Sequence, residues 1–330
     1  MDFRTCITIP PSNLRITHRN SILALGSCFA ESMTEMLTQM RYNIVCNPFG
    51  ALYNPLSIVR HIKRVASNSY YSDRDIIEWQ GRWFSTDAHT LLESSNMATA
   101  IEQMNKALER AHNALESADF VIITLGSDFV YERGGEVVAN CHKLPAREFT
   151  RRRASIEEMV SALDEVFTQE LSGKQIILTV SPIRHLKDGL AECSLSKASL
   201  RVVAARLAEK WDNAHYFPSY EIMMDELRDY RFYASDMLHP SEVAIQYIGT
   251  RFKEAWLDPK EEVLNQRIER FVKGCQHRPF DNTSEQYRQF TDGLYQDFVA
   301  LKTAYPELDF SQEKIFLSQA GYNTDCFNKK

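Results

Sequence analysis

The sequence predicts an α/β fold: a parallel sheet covered by helices on both faces, followed by a helical extension. Three observations predict it. Short apolar runs at residues 21–25, 119–125 and 175–180 each stop at a break, a glycine after the first two and Ser181-Pro182 after the third. Helical patterns long enough to cross back over a sheet lie between these runs, and strands joined in that way are parallel and buried on both faces. Past Asp258-Pro259 no strand pattern occurs. The expected division is residues 1–257 for the α/β domain and 258–330 for helices packed on it.

Composition limits the partners. The chain has 330 residues, 44% hydrophobic and 25% charged, an ordinary balance for a globular protein with a sizeable core. A formal net charge of -6 gives no global basic field, so nucleic acid is not expected. Arg151-Arg152-Arg153 is a local exception and reads as a solvated loop before a helix. The seven cysteines (Cys6, Cys28, Cys46, Cys141, Cys193, Cys275 and Cys326) are odd in number and have neither CxxC nor zinc spacing. Reduced thiols in a cytoplasmic protein are the expectation. No basic segment followed by an apolar one opens the chain, and no apolar run is long enough to span a membrane.

Taken in order, residues 1–20 are a lead-in, with Pro10-Pro11 blocking regular structure. The first strand ends at Gly26, and a helix follows at once, with Phe29, Met33, Met36, Leu37 and Met40 at spacings of three and four. Residues 42–46 form a second short strand that runs into the turn formers Asn47-Pro48-Phe49-Gly50. Asn54-Pro55 starts a helix as cap and first residue. Gln80-Gly81 and Gly134-Gly135 each join a small hairpin. Residues 97–115, 156–171, 195–211 and 241–256 are helical, and residues 215–217 are a weak strand. In the extension, residues 261–273 and 284–303 are helices, with Phe290, Tyr295 and Phe298 expected to dock it on the body.

Ser27 stands at the first strand-to-helix turn, where α/β folds bind ligands and where helix N–H groups can hold an anion. Two readings are open: a helix cap or a nucleophile. Asp236-Met237-Leu238-His239 precedes the last helix of the domain. A carboxylate three residues before a histidine can accept its Nδ1–H and leave Nε2 to take a proton from a serine.

With these residues in place, Gly26-Ser27-Cys28-Phe29-Ala30 resembles the signature of the GSCFA family, a branch of the SGNH/GDSL-type hydrolases. The likeness continues through Gly50, the strand ending at Gly126 and the Asp236–His239 pair, across residues 21–256. It implies a three-layer α/β/α sandwich of flavodoxin-like topology, and a hydrolase that cleaves esters, often acyl groups on carbohydrates or lipids. Carried over, Ser27 is the nucleophile, His239 the general base and then acid, and Asp236 its orienter. The N–H groups of Ser27 and Gly50 would hold the oxyanion. A third donor in the wider group is an asparagine two residues after a glycine, but Gly126-Ser127-Asp128 places Asp128 there. A carboxylate cannot donate, and the loss of one such donor costs about 3 kcal/mol. Either Asp128 turns elsewhere or another donor replaces it, and Asn140 and His142 are the candidates, against a plain polar loop.

Arg184 and His185 follow the third core strand and could contact an anion or a sugar hydroxyl, or simply pair with a carboxylate. Cys28 could compete as nucleophile, but a small core filler is the preferred reading. Trp79, Trp83 and Phe84 offer a sugar platform or core packing, with packing preferred. No metal-ligand cluster or phosphate loop occurs, so no cofactor is expected. The sequence thus predicts a serine esterase that removes O-acyl groups, acetyl above all, from carbohydrate or other small esters. An acyltransferase with the same triad and a non-catalytic carbohydrate-binding or scaffold protein are the alternatives. Nothing sets the oligomeric state.

Overall fold

The structure, a computed structural model, describes residues 5–277, 280, 281 and 283–324. Residues 1–4 of the lead-in and Cys326 lie outside the described residues. The strands are β1 (Ser21–Gly26), β2 (Asn43–Cys46), β3 (Ile77–Trp79), β4 (Arg82–Phe84), β5 (Phe120–Leu125), β6 (Phe129–Arg133), β7 (Glu136–Val138), β8 (Thr150–Arg153), β9 (Gln175–Val180) and β10 (Ala214–Phe217). Five of them form one sheet in the order β10-β9-β5-β1-β2, every pair parallel. Counted along the chain from the β2 edge this is 2-1-3-4-5, the order of flavodoxin-like sheets. The order reverses between β1 and β5, so the ligand crevice of such a sheet opens at their carboxyl ends.

Helices α1 (Cys28–Gln39), α2 (Pro55–Ala66), α3 (Met97–Ser117), α4 (Ile156–Thr168), α5 (Gly189–Lys210), the short α6 (Ser219–Glu221) and α7 (Glu242–Trp256) complete the domain. Strand period two decides which helices each face meets. Ile22, Ala24, Phe120, Ile122 and Ile177 pack with α1 and α7 residues such as Phe29, Leu37, Ile248 and Phe252. Their neighbours Leu23, Leu25, Val121, Ile123 and Leu178 pack with Ile58 and Ile62 of α2, Leu108 of α3, Leu163 of α4 and Leu200 of α5. The result is a three-layer α/β/α sandwich.

The triple-arginine segment corrects the loop expectation. Residues 151–153 are paired antiparallel with β6 in a second small sheet. Each arginine has a carboxylate: Arg151 meets Asp188, Arg152 meets Glu132 and Glu158, and Arg153 meets Asp128 and Glu192. These charges serve internal pairing, which is why no basic patch results.

The extension holds α8 (Glu262–Gln276), α9 (Glu285–Ala304) and α10 (Ser311–Gln319). Phe298 and Tyr295 contribute to a cluster of the extension's own with Phe271, Leu301 and Phe310, while Phe290 is exposed. The expectation that these aromatics dock the extension is therefore corrected. Docking falls to His18 against Glu261, Arg41 against Glu313, and Tyr42 against Asn265. No helix among the described residues is long and apolar enough to cross a membrane.

Candidate active site

Gly26 has φ +137°, and a Cβ there would lie 2.2 Å from the Thr124 carbonyl oxygen, so only glycine lets β1 run this close to β5. Its N–H donates to Asn47 Oδ1 at 2.9 Å, and its carbonyl accepts from Leu52 N–H at 2.7 Å. The turn that carries Ser27 is thus pinned from the loop after β2. Ser27 occupies the N-cap of α1 in extended backbone, yet its side chain makes no capping bond. Its Oγ is buried without a hydrogen-bond partner, and the residue is 1% exposed. A buried hydroxyl left unpaired costs about 1–3 kcal/mol, so the cap reading gives no reason for it.

The end of β5 lies directly against this serine. A Cβ at Gly126 would sit 3.2 Å from Ser27 Cβ and 2.8 Å from the Tyr53 carbonyl oxygen. The N–H groups of Gly126 and Ser127 both donate to Tyr53 O, at 2.9 and 2.8 Å. From α5, Lys197, only 1% exposed, donates Nζ–H to the Gly126 carbonyl at 2.6 Å. Burial pushes its ammonium down to about 8, against the pull of Cys193, Cys28 and Asp128. His185 shares the Gly126 carbonyl; burial first, then the Lys197 charge, hold its ring down to about 4. It is neutral near pH 7, and its Nε2 is buried without a partner. Burial pushes the Cys28 thiol up, against a hydrogen bond from Tyr53, so Cys28 is not a competing thiolate.

Asp236 and His239 form the expected pair. His239 Nδ1 lies 2.6 Å from Asp236 Oδ2, while Asp236 Oδ1 accepts the N–H groups of Leu238 and His239 at 2.9 and 3.0 Å. Those backbone donors, and then the imidazole, hold the Asp236 carboxyl down to about 2. Arg184 N–H donates to Leu238 O at 3.2 Å, which fastens this loop to the segment after β9.

Other expectations are corrected. Ser27 and His239 are not hydrogen-bonded: Ser27 Oγ is sealed from solvent, whereas the His239 side chain is 50% exposed. The N–H of Ser27 donates to Thr124 O at 3.0 Å and that of Gly50 to Asn47 O at 2.7 Å, so neither assigned oxyanion donor is free. The leading N–H groups of α1, at Cys28 and Phe29, have no acceptor within the helix and face the Cys28 sulfur. His142 is no donor to a substrate. Its Nδ1 meets Glu93 at 2.8 Å, its Nε2 meets Ala88 O at 2.7 Å, and its ring stacks on Phe84 at 4.2 Å. Asn140 keeps its reading as a donor: its Oδ1 accepts from His142 N–H at 2.9 Å, which orients the amide and leaves Nδ2 to donate. Asp128 turns away to Arg153, which is the first of the two alternatives left open for it. Among the described residues Arg184 pairs with no carboxylate; it lies over Tyr233 at 4.4 Å and donates to Tyr230 Oη at 3.1 Å. Phe84 is buried and Trp83 packs partly buried against the core, in keeping with the packing reading preferred for them.

A cavity of about 560 Å³ opens beside this edge, lined by Tyr53, Ser127, Phe129, Tyr131, Asn140 and His185 among others. A larger cleft of about 760 Å³ lies at the other end of the sheet, between Arg41 and Tyr42 ahead of β2 and Glu313 of α10. The smaller one takes Tyr53, Ser127 and His185 into its wall, and Ser27, Asp236 and His239 are not among its lining residues.

Residues 21–252 match the GSCFA family. The chain belongs to the GSCFA family. Residues 268–320 match a second description, GSCFA domain protein, C-terminal domain. Among curated proteins nothing matches. Among solved structures, a psychrotrophic esterase from Pseudoalteromonas sp., inhibited by monoethylphosphonate, is 13% identical with a TM-score of 0.34. The match covers 72% of this chain and 96% of that one, and a likeness so remote carries no argument about chemistry.

In this GSCFA chain, sequence reasoning passed over three residues of the site: Asn47, Tyr53 and Lys197. Lys197 left a signal, since Cys193, Ser196, Lys197 and Leu200 recur at helical spacing and all are buried. A lysine in a buried stripe needs a reason. Tyr53 acts through its backbone carbonyl and left none.

Proposed function

We propose that this protein is a serine ester hydrolase of the SGNH type. The observation that carries the proposal is the Ser27 hydroxyl, buried and unpaired at a helix N-terminus in the topological switch point. In the proposed reaction Ser27 Oγ attacks an ester carbonyl while His239, oriented by Asp236, takes its proton. The acyl group passes to Ser27, the alcohol leaves with the proton from His239, and water then releases the acid. Catalytic hydrogen bonds are often long before substrate binds, and closure of Ser27 on His239 belongs to this cycle. The oxyanion would draw on the first N–H groups of α1, at Cys28 and Phe29, in place of their contact with the Cys28 sulfur. The substrate class assigned is an O-acylated carbohydrate or similar small ester, which the volume of the cavity and its mixed aromatic and polar lining support. A reducing cytoplasm suits the free thiols of Cys28, Cys46 and Cys193.

The test is labelling by a fluorophosphonate probe, which reacts quickly only with an activated serine. The full chain should label and Ser27→Ala should not. Labelling that survives in Ser27→Ala ends the proposal. One observation favours a second reading, a binding or scaffold protein on the same fold: the unmade Ser27–His239 bond together with the committed N–H groups of Ser27 and Gly50. An inert parent chain on a panel of acetylated sugars and short esters would support it.

A further inference from the structure

Lys197 is as deeply buried as Asp128, each 1% exposed, and the reaction just proposed makes no use of it. A buried ammonium costs several kcal/mol unless it is paired. Among the described residues Lys197 makes no salt bridge, and its one hydrogen bond goes to the Gly126 carbonyl. The nearby Asp128 Oδ2 is taken by Arg153. A methionine of similar length would fill the same stripe of α5 without that cost.

We propose that Lys197 is the positioning residue of this site: its ammonium clamps the Gly126 carbonyl and sets a positive charge behind the Ser27 turn. The inference rests on the hydrolase reading. The clamp fixes the Gly126–Ser127 peptide, whose N–H grips Tyr53 O together with the N–H of Gly126, and Gly126 is the backbone packed on Ser27. One side chain therefore sets the spacing of β5, Tyr53, His185 and the nucleophile. Its charge faces Cys193 on its own helix, Cys28 at the head of α1, Asp128 after β5 and His185 after β9, with Arg153 beyond Asp128. Negative charge that develops on Ser27 or on the oxyanion is attracted by that ammonium in a water-poor interior.

The experiment is hydrolysis of 4-nitrophenyl acetate by the full chain from about pH 6 to about pH 10, with folding checked by circular dichroism. In the parent, kcat should fall as pH rises through about 8, where the ammonium is lost. Lys197→Arg should move that fall to higher pH. Lys197→Met should lose about 10²-fold in kcat at neutral pH, with KM within about twofold and no such fall. A folded Lys197→Met with parental kcat overturns the inference, and so does a parent profile unchanged by Lys197→Arg. If Lys197→Met does not fold, the comparison of parent with Lys197→Arg decides. A parent that turns over ester, loses it in Ser27→Ala and ignores Lys197 sinks this inference alone. A parent without Ser27-dependent turnover sinks both.

Discussion

Asp128 Oδ2 accepts from both Nε and Nη2 of Arg153, at 3.1 and 2.5 Å, which joins the end of β5 to β8. The negative charge that the sequence places where an oxyanion donor belongs is thereby met by a cation. The pair is unequal: the Asp128 side chain is 1% exposed and that of Arg153 28%. Removal of the cation strands a buried carboxylate, whereas removal of the carboxylate leaves a guanidinium that water and Glu192 still reach. Arg153→Met should therefore cost about 3 kcal/mol, and Asp128→Asn clearly less, in urea unfolding at neutral pH. Equal costs would refute the asymmetry.

Ser27→Ala should separate function from stability. Its hydroxyl has no partner, so its removal deletes an unpaired polar group rather than a hydrogen bond. Stability should rise by about 1 kcal/mol while probe labelling disappears. A loss of stability would mean that the hydroxyl is bonded in solution, and the cap reading would return.

The sandwich itself was readable because β5 and β9 are apolar along their length, as strands with two buried faces must be. The Asp236–His239 contact was readable too, since it spans three residues and needs no knowledge of the rest of the chain. What failed was long-range. Arg151 to Arg153 look like a solvated run until Asp188, Glu158 and Asp128 arrive from other elements. His142 looks like a loop donor until Glu93 and Ala88 close on both ring nitrogens. Phe298 and Tyr295 were rightly read as packing residues, but periodicity says which face is apolar and not which partner it meets.

His185 should make the protein acid-sensitive. Its folded value is held near 4, below the ordinary 6.5, so the unfolded chain binds a proton that the folded one refuses. Stability from this residue is complete above the unfolded value and falls as pH drops from 6.5 toward 4. Urea midpoints at the two ends of that window should differ less in His185→Gln than in the parent. Identical differences would place the acid sensitivity elsewhere.

The last prediction concerns the joint between body and extension. His18 Nδ1 lies 2.8 Å from Glu261 Oε2, its Nε2 lies 2.9 Å from Met40 O, and its ring stacks on Tyr42 at 4.1 Å. The Glu261 carboxylate also accepts from His18 N–H at 3.1 Å and from Tyr42 Oη–H at 3.3 Å. Glu261 stands just before α8 and Met40 just after α1, so this one cluster couples the extension to the sandwich. Glu261→Ala takes the acceptor from the His18 backbone N–H and the partner from ring Nδ1 of a side chain only 3% exposed. The cost should be about 2 kcal/mol, carried by the hydrogen bonds rather than by apolar area. Hydrogen exchange should quicken in α8 first, because Ile268, Phe271 and Phe298 keep the extension's own cluster while its anchor loosens. Unchanged exchange in α8 beside a faster α1 would show that the sandwich leans on the extension, and not the reverse.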